Sequence, residues 1–409
     1  MTNATGVCFL SYSRERADEA ALLVSALRDH GVPTWQDISH MPSAQTEEEL
    51  REILSERATA SAILFITPEV EDSEFIRNVE APLVFERYRC KDGFSIIVVA
   101  AGGLDYGEVG RLLGDRIGPT DPSGWNTQRV LQDPMTQVEA DQIADVTLSH
   151  RLAAISRQLG PKDALKLALS TRADLPIKPG SDLAVDLTHR FAGRIAHPGA
   201  WEHILRGFRS IRKTIQKQLP ERLIECSGPL CLPAAVALGV EFMPLSRLRA
   251  AWIQEQFKFG ISPEIWGLHV AKTASDFKGE THLGKVGGTD LALVVSVTHD
   301  PKAVMDDVRA TFGSTIPFRA IVHVHAEGRR QVTASEATGI AHLAVNTLGD
   351  ARSELKTRGA VHLFLAVPAG LAFLIGQLLN TVGEVQTYEH VAGQSPSYIK
   401  AALLRPSDT

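Results

Sequence analysis

The sequence predicts an α/β protein in two parts: an open parallel sheet covered by helices on both faces, then a longer region of two similar halves. Three observations predict it. Over residues 1–135, short apolar runs alternate with amphipathic helical segments, the pattern of a parallel sheet buried on both sides. A strand–turn–helix unit at 223–239 recurs at 361–380. The 409 residues exceed one ordinary core and fit two or three domains.

Composition narrows the function classes. The apolar share of 44% and charged share of 22% are those of a globular chain and exclude global disorder. The richest apolar stretch, Val361 to Leu379, is interrupted by Pro368, Gly370 and Gly376, so no membrane span is expected. The N-terminus lacks a basic region followed by an apolar core. A cytoplasmic protein is expected. Cys8, Cys90, Cys226 and Cys231 lack the spacing of a metal knuckle and read as buried free thiols, with no metal site. Charge is uneven. Residues 1–135 hold 12 Lys+Arg against 22 Asp+Glu, and the remainder holds 30 against 26, with the basic excess clearest from Arg190 to Lys217. That balance is too weak for a duplex nucleic-acid binder but sufficient for a pocket that holds one small polyanion.

The first part reads element by element. Gly6 to Leu10 is a buried strand followed by the polar turn Ser11-Tyr12-Ser13-Arg14. Ala17, Ala20, Ala21, Val24 and Leu27 recur at helical spacing, and Gly31 ends that helix. Val32 to Trp35 is a second strand, and a loop from Asp37 to Gln45 follows. Thr46 opens a helix whose first turn carries Glu47, Glu48 and Glu49, where the helix dipole favours carboxylates. Ala62 to Thr67 and Ser95 to Ala100 are further strands.

FLSYS at 9–13, GVPTWQD at 31–37, AILFITPE at 62–69 and SEFIRNVE at 73–80 resemble a bacterial TIR domain, a flavodoxin-like fold. Some TIR domains only assemble; others hydrolyse or cyclise NAD+ with one glutamate on the helix after the third strand. Ser73 and Phe75 match the start of that helix, and Glu80 is the counterpart of the glutamate. The family's glutamate falls one residue earlier, where Val79 stands here, and Glu74 and Glu86 are the alternatives. By the same resemblance, Phe9, Ser11, Tyr12, Arg14, Trp35, Asp37 and Ser73 flank NAD+, and the 37–45 loop packs against a neighbouring TIR domain. NAD+ is then substrate, and no cofactor is called for. The chemistry needs little machinery. The leaving group is already a cationic pyridinium, so no strong acid is required, and one carboxylate can steady the positive ribose.

Residues 136–181 read as a connector. A helix from Gln137 to Leu159 is stopped by Gly160-Pro161, a short helix is expected over Asp163 to Leu169, and the boundary falls between Asp174 and Asp182. The second domain, 182–409, opens with a helix. Trp201, Ile204, Leu205, Phe208, Ile211, Ile215 and Leu219 line one face and Arg206, Arg209, Arg212, Lys213 and Lys217 the others. Its repeat pairs Leu223–Cys226, Ser227-Gly228-Pro229 and Pro233–Gly239 with Val361–Val367, Pro368-Ala369-Gly370 and Leu371–Asn380, and aligns Gly239 with Gly376. A strand over Ile265 to Val270 is paired with one over Val385 to Val391. Two Rossmann-like halves packed as a pseudo-dimer are expected. Strands are also expected over 291–298, 319–325 and 398–404, with helices over 302–312 and 335–357.

The segments 362–390 (HLFLAVPAGLAFLIGQLLNTVGEVQTYEH) and 290–301 (DLALVVSVTHDP) resemble a SAVED domain, two fused CARF-like units. The resemblance implies a sensor for a cyclic di- or trinucleotide, the activator here, made by an infection-triggered cyclase. It further implies, for a TIR–SAVED fusion, an effector of bacterial anti-phage signalling (CBASS) that the ligand stacks into an assembly. Free N–H groups at helix starts suit phosphates, which nominates Ser227, Gly228, Ala369 and Gly370. Lys278 and Lys285 are candidate cations, Trp266, Phe277 and Tyr388 candidate base platforms, and His299, His325 and His390 candidate donors. Three functions compete: a ligand-gated NAD+ hydrolase, a nucleotide-sensing scaffold without chemistry, and an oligonucleotide-degrading enzyme in the second domain, the weakest because that region has no carboxylate cluster or metal motif.

Overall fold

The computed structural model describes residues 2–36, 46–55, 58–114, 126–175, 177, 180–255, 262–312, 317–328 and 330–406. It divides into two compact units. The first is Met1–Lys162, Pro179–Asp186 and Lys213–Leu219; the second is Asp163–Lys178, Leu187–Arg212 and Pro220–Thr409. The expected connector is thus shared out between them rather than forming a piece of its own.

In the first unit five strands form one sheet: β1 (Val7–Tyr12), β2 (Thr34–Gln36), β3 (Thr59–Ile66), β4 (Ser95–Ala100) and β5 (Gln128–Arg129). All neighbours are parallel, in the order β2-β1-β3-β4-β5. Every residue of β3 is buried, as the unbroken apolar run requires of a strand covered on both faces. The helices are α1 (Ala17–Asp29), α2 (Thr46–Ser55), α3 (Ala81–Arg89), α4 (Tyr106–Leu113) and α5 (Gln137–Gln158). Thr136 and Glu139 form a capping box that starts α5. Strand order reverses between β1 and β3, and in a doubly wound sheet the crevice at that switch point receives the ligand. A further short strand, β7 (Leu183–Asp186), also belongs to this unit.

The second unit contains two sheets. In the first, β6 (Leu165–Ser170), β10 (Leu223–Ser227), β11 (Arg249–Gln254) and β12 (Glu264–Trp266) lie in the order β12-β11-β10-β6. The second comprises β13 (Phe277–Leu283), β14 (Leu291–Ser296), β15 (Ala320–Ala326), β16 (Val361–Ala366), β17 (Val385–His390) and β18 (Tyr398–Leu404), ordered β13-β15-β14-β16-β17-β18. A small hairpin pairs β8 (Phe191–Ala192) with β9 (Ile195–Ala196). The helices are α6 (Ala200–Gln218, its end clustering with the first unit), α7 (Leu232–Glu241), α8 (Pro301–Phe312), α9 (Ala334–Leu355) and α10 (Ala369–Leu378).

The duplication is real, with one correction. The series β6, β10, β11, β12 and β14, β16, β17, β18 share order and polarity: three parallel strands, then an antiparallel edge. The partner of Val385–His390 is therefore Arg249–Gln254, not the strand at 264–266. The starts of β10 and β16, and of β11 and β17, keep to within one residue the spacing between Gly239 and Gly376. Helices α7 and α10 meet at those glycines. A Cβ on Gly239 would lie 2.1 Å from Phe373 O, and one on Gly376 2.2 Å from Val236 O. Val236 and Phe373 each precede their glycine by three residues, so the contact is isologous, as in a two-fold dimer.

Two further expectations are corrected. Asp163 to Leu169 is strand β6, not a helix; Ala, Leu and Lys favour helix, but the sheet beside β10 offers burial to Leu165, Leu167 and Leu169. Of the four thiols expected to be buried, Cys90 is exposed, whereas Cys8, Cys226 and Cys231 are buried. Among the described residues, no helix is long and apolar enough to cross a membrane.

Candidate functional site

In the first unit the side chains gather at the carboxyl end of β1. Ser11 and Tyr12 are its last two residues, paired with Leu64 and Phe65 of β3. The Ser11 hydroxyl donates a short hydrogen bond to Glu80 Oε2. Both side chains are buried, Glu80 at 4% exposure and Ser11 at 2%. A carboxylate in that setting is costly unless it is held by donors.

The helix that carries Glu80 explains its position. Residues Ile76–Glu80 make a π-helical turn, closed by the Ala81 N–H to Ile76 O. A turn bonded i→i+5 holds one residue more than an α-turn. The extra residue shifts Glu80 toward the face that residue 79 would occupy in a regular helix. Glu74 and Glu86 are both exposed.

The other residues nominated here fall in distinct places. Ser73 Oγ accepts the Ile76 N–H at 3.4 Å and so caps the turn. Phe9 is fully buried and backs the half-buried Trp35, with ring centroids 5.5 Å apart. Tyr12 is half-buried and Arg14 exposed on the turn after β1. Asp37 and the loop 37–45 lie outside the described residues. Two turns of chain near the crevice are tied by Arg16, which donates to Glu69 Oε1 at 2.7 Å, Glu19 at 2.9 Å and Asp133 at 2.6 Å. The Arg16 guanidinium pulls the Glu69 carboxyl down to about 2, against the opposing effect of burial.

In the second unit a cavity of about 290 Å³ opens where strands from both sheets end. Thr171 and Arg172 follow β6, Leu230 to Leu232 lead into α7, Thr298 to Asp300 lead into α8, and Ala366 and Val367 lead into α10. The hairpin turn Gly193-Arg194 and Glu389, His390 and Tyr398 complete the lining. Three helix starts thus face one space, the arrangement that suits phosphate groups.

Of the ligand residues expected from sequence, His299 and His390 line this cavity. His390 Nε2 lies 3.5 Å from Asp307 Oδ2. The others lie elsewhere. Trp266 is buried, its indole N–H donating to Glu264 at 3.0 Å. Tyr388 is buried and stacked on Phe364, with centroids 4.5 Å apart. Phe277 is buried beneath the Arg330 guanidinium. None of these rings is available as a base platform. Lys278 pairs with Glu327 on the surface and Lys285 is exposed. Ser227 and Gly228 close β10, Gly228 at φ 122° against Leu169 O. Ala369 and Gly370 begin α10, and a Cβ on Gly370 would strike the Trp252 and Trp266 indoles at 2.7 and 2.8 Å. Gly370 is there for helix–strand packing.

Sequence reasoning missed Arg172, Arg194 and Glu389. Arg194 Nε and Nη2 both donate to Glu389 Oε1, at 3.0 and 2.8 Å. Burial pushes the Glu389 carboxyl above its ordinary value, and Arg194 pulls it part of the way back. The signal was present: FAGRIA alternates around a Gly-containing two-residue turn, a hairpin pattern. The basic face of α6 is partly used inside the fold, since Arg212 and Arg209 approach the buried Glu241 at 2.8 and 3.7 Å. Among the described residues, no group of three or more His, Cys, Asp or Glu is placed to hold a metal ion.

Comparison with known proteins bears on the second unit. Residues 208–404 match the SAVED family, described as "SMODS-associated and fused to various effectors sensor domain". Among solved structures, the chain is similar to the Acinetobacter baumannii Cap4 SAVED/CARF-domain containing receptor with the cyclic trinucleotide 2'3'3'-cAAA. That match has 15% identity and a TM-score of 0.49, and covers 97% of this chain and 100% of that one. It is also similar to the Moraxella osloensis Cap4 receptor, at 13% identity and a TM-score of 0.45, covering 96% and 100%. Similarity at this level sets no residue correspondence. No curated protein matches the chain. Residues 208–404 are thus similar to the SAVED sensor-domain family.

Proposed function

We propose that the chain is a TIR-type NAD+ hydrolase switched on when its SAVED domain binds a cyclic oligonucleotide, depleting NAD+ in anti-phage defence. The observation that carries the catalytic half is the buried Ser11–Glu80 hydrogen bond at the β1/β3 switch point. In this reading Ser11 orients Glu80, and the carboxylate faces the ribose of NAD+. As the bond to nicotinamide breaks, positive charge grows on the sugar and the carboxylate stabilises it. The pyridinium leaves as neutral nicotinamide, and water completes the ADP-ribose. Half-buried Trp35 at the end of β2 supplies an apolar wall.

The sensor half rests on the SAVED match and on the cavity at the strand ends, with its convergent helix starts. NAD+ is abundant, so an ungated enzyme would harm its host. Ligand binding energy is what must stabilise the active arrangement.

Purified protein mixed with NAD+ and a panel of cyclic di- and trinucleotides tests both halves, with free nicotinamide as the readout. Release that depends on one nucleotide and is lost in Glu80→Gln is the expected result. Ligand-driven assembly with NAD+ intact assigns a scaffold instead.

A further inference from the structure

A second cavity, of about 210 Å³, adjoins the first, and Arg194, Cys231 and Glu389 line both. The Arg194–Glu389 ion pair is therefore the partition between them. At about 290 Å³ the larger cavity sits at the lower end of the roughly 300–1,000 Å³ that encloses small-molecule ligands. Arg194 is half exposed and stands at the tip of a two-residue hairpin turn, whereas Glu389 is buried at 6% exposure near the end of β17, paired with edge strand β18. Of the two, the arginine is the one that can move.

We propose that Glu389 is a resident stand-in for a ligand phosphate. A phosphodiester entering the larger cavity takes Arg194 from Glu389, and the carboxylate left behind takes up a proton from solvent. The inference rests on the reading of this cavity as the oligonucleotide site, and it assigns the Arg194–Glu389 exchange as the step that opens the two cavities into one.

The chemistry follows from the surroundings. The charged and titratable groups that line the two cavities with Glu389 are Arg194 on the hairpin, His197 after it, Arg172 after β6, Cys231 at the start of α7, His299 and Asp300 before α8, Asp307 on α8, neighbouring His390, and Tyr398 and Lys400 on β18. His390 is engaged by Asp307. Arg194 alone makes hydrogen bonds to the carboxylate in the structure described. Burial already raises this carboxyl, and Arg194 opposes that rise. Transfer of Arg194 to a phosphate removes the opposition and brings a second anion close, and both effects favour the protonated acid. Binding and protonation are thereby linked. Affinity falls as pH rises through the raised range, by up to about tenfold per pH unit for one proton taken up.

Calorimetry on the full chain tests this with two probes, 3′3′3′-cAAA and inorganic tripolyphosphate, at pH 6 to 8 in buffers of different ionisation enthalpy. Wild-type protein is expected to take up protons on binding and to weaken with rising pH. Glu389→Gln, isosteric and uncharged, is expected to bind more tightly at pH 8 and to take up none. Arg194→Lys, which keeps charge but not the two-nitrogen grip, is expected to weaken both probes at least tenfold. Binding of 3′3′3′-cAAA with no proton uptake, unchanged in Glu389→Gln, overturns the exchange and leaves the sensor reading standing. Tripolyphosphate binding with proton uptake, while the whole cyclic panel fails, does the reverse. Failure of both probes overturns both. Thermal melts of each variant separate lost binding from lost folding, and the wild-type proton count needs no variant.

Discussion

Glu80 and Ser11 show how much one hydrogen bond decides. Glu80→Gln keeps the shape and still accepts from the Ser11 hydroxyl, so its melting temperature is expected to stay close to wild type. Ligand-stimulated nicotinamide release is expected to fall by about 10²–10³-fold, the loss typical of one electrostatic stabiliser. Ser11→Ala removes one donor from a buried carboxylate and is expected to cost about 1.5–3 kcal/mol in denaturant unfolding, with a smaller drop in activity. Glu69 carries a prediction about acid. Arg16 lowers its carboxyl from 4.5 to about 2 on folding. A depressed acid contributes stability above its unfolded value and loses it as pH falls. Stability of up to about 3 kcal/mol is therefore expected to vanish between pH 4.5 and 2, and Glu69→Gln to lack that portion of the acid transition. A melt series across that window checks it. The place of Glu80 on a helix after the third strand was legible because the run SEFIRNVE lies soon after that strand. Arg194 and Glu389 were not, because they lie 195 positions apart and meet only in the folded chain.

At the level of elements, the π-turn and the glycine crossing each make a claim. If the turn at Ile76–Glu80 is a one-residue insertion, deleting exposed Asn78 restores a regular helix without shifting either flank. The deletion is expected to melt within a few degrees of wild type and to keep nicotinamide release. Loss of activity with an intact fold would show that the wide turn itself shapes the site. At the α7–α10 crossing, Gly239→Ala and Gly376→Ala each drive a methyl into a carbonyl of the opposite helix. Each is expected to destabilise by about 1–3 kcal/mol. The two losses should be similar, because the contact is isologous, and the double variant less than additive, because one helix separation relieves both. Urea unfolding of the three proteins decides this. The repeat itself was visible as strand–turn–helix, and Gly239 and Gly376 were correctly aligned. The following strand was misassigned because a shared His-Val is a weak signal beside sheet order, which sequence does not display. Asp163 to Leu169 was misread for a similar reason: the neighbouring strand β10, not local propensity, makes it a strand.

For the whole molecule, a ligand that binds only the folded sensor raises stability by mass action, by about 2.7 kcal/mol at a hundredfold excess over Kd. The activating nucleotide is therefore expected to raise the melting temperature of Glu80→Gln as much as that of wild type. Should assembly complete the active site, activity per chain rises with protein concentration in the presence of that nucleotide. Light scattering should then show mass growing over the same range, and a fully active monomer would falsify activation by assembly.

By itself the sequence determined the α/β class, the duplication in the second region, and most helices and strands other than α4, β6 and β11. These follow from period, length and turn chemistry, which are local. Only the tertiary structure decided the sheet order 2-1-3-4-5 that sets Ser11 beside Glu80, the reciprocal fit of two glycines, and which side chains share the second unit's cavity. Aromatic residues that look like base platforms in the sequence proved to be core, because burial of a ring depends on what packs over it. The arginine that faces the cavity was hidden in a short hairpin for the same reason: distances between remote residues are properties of the packed chain, not of its order.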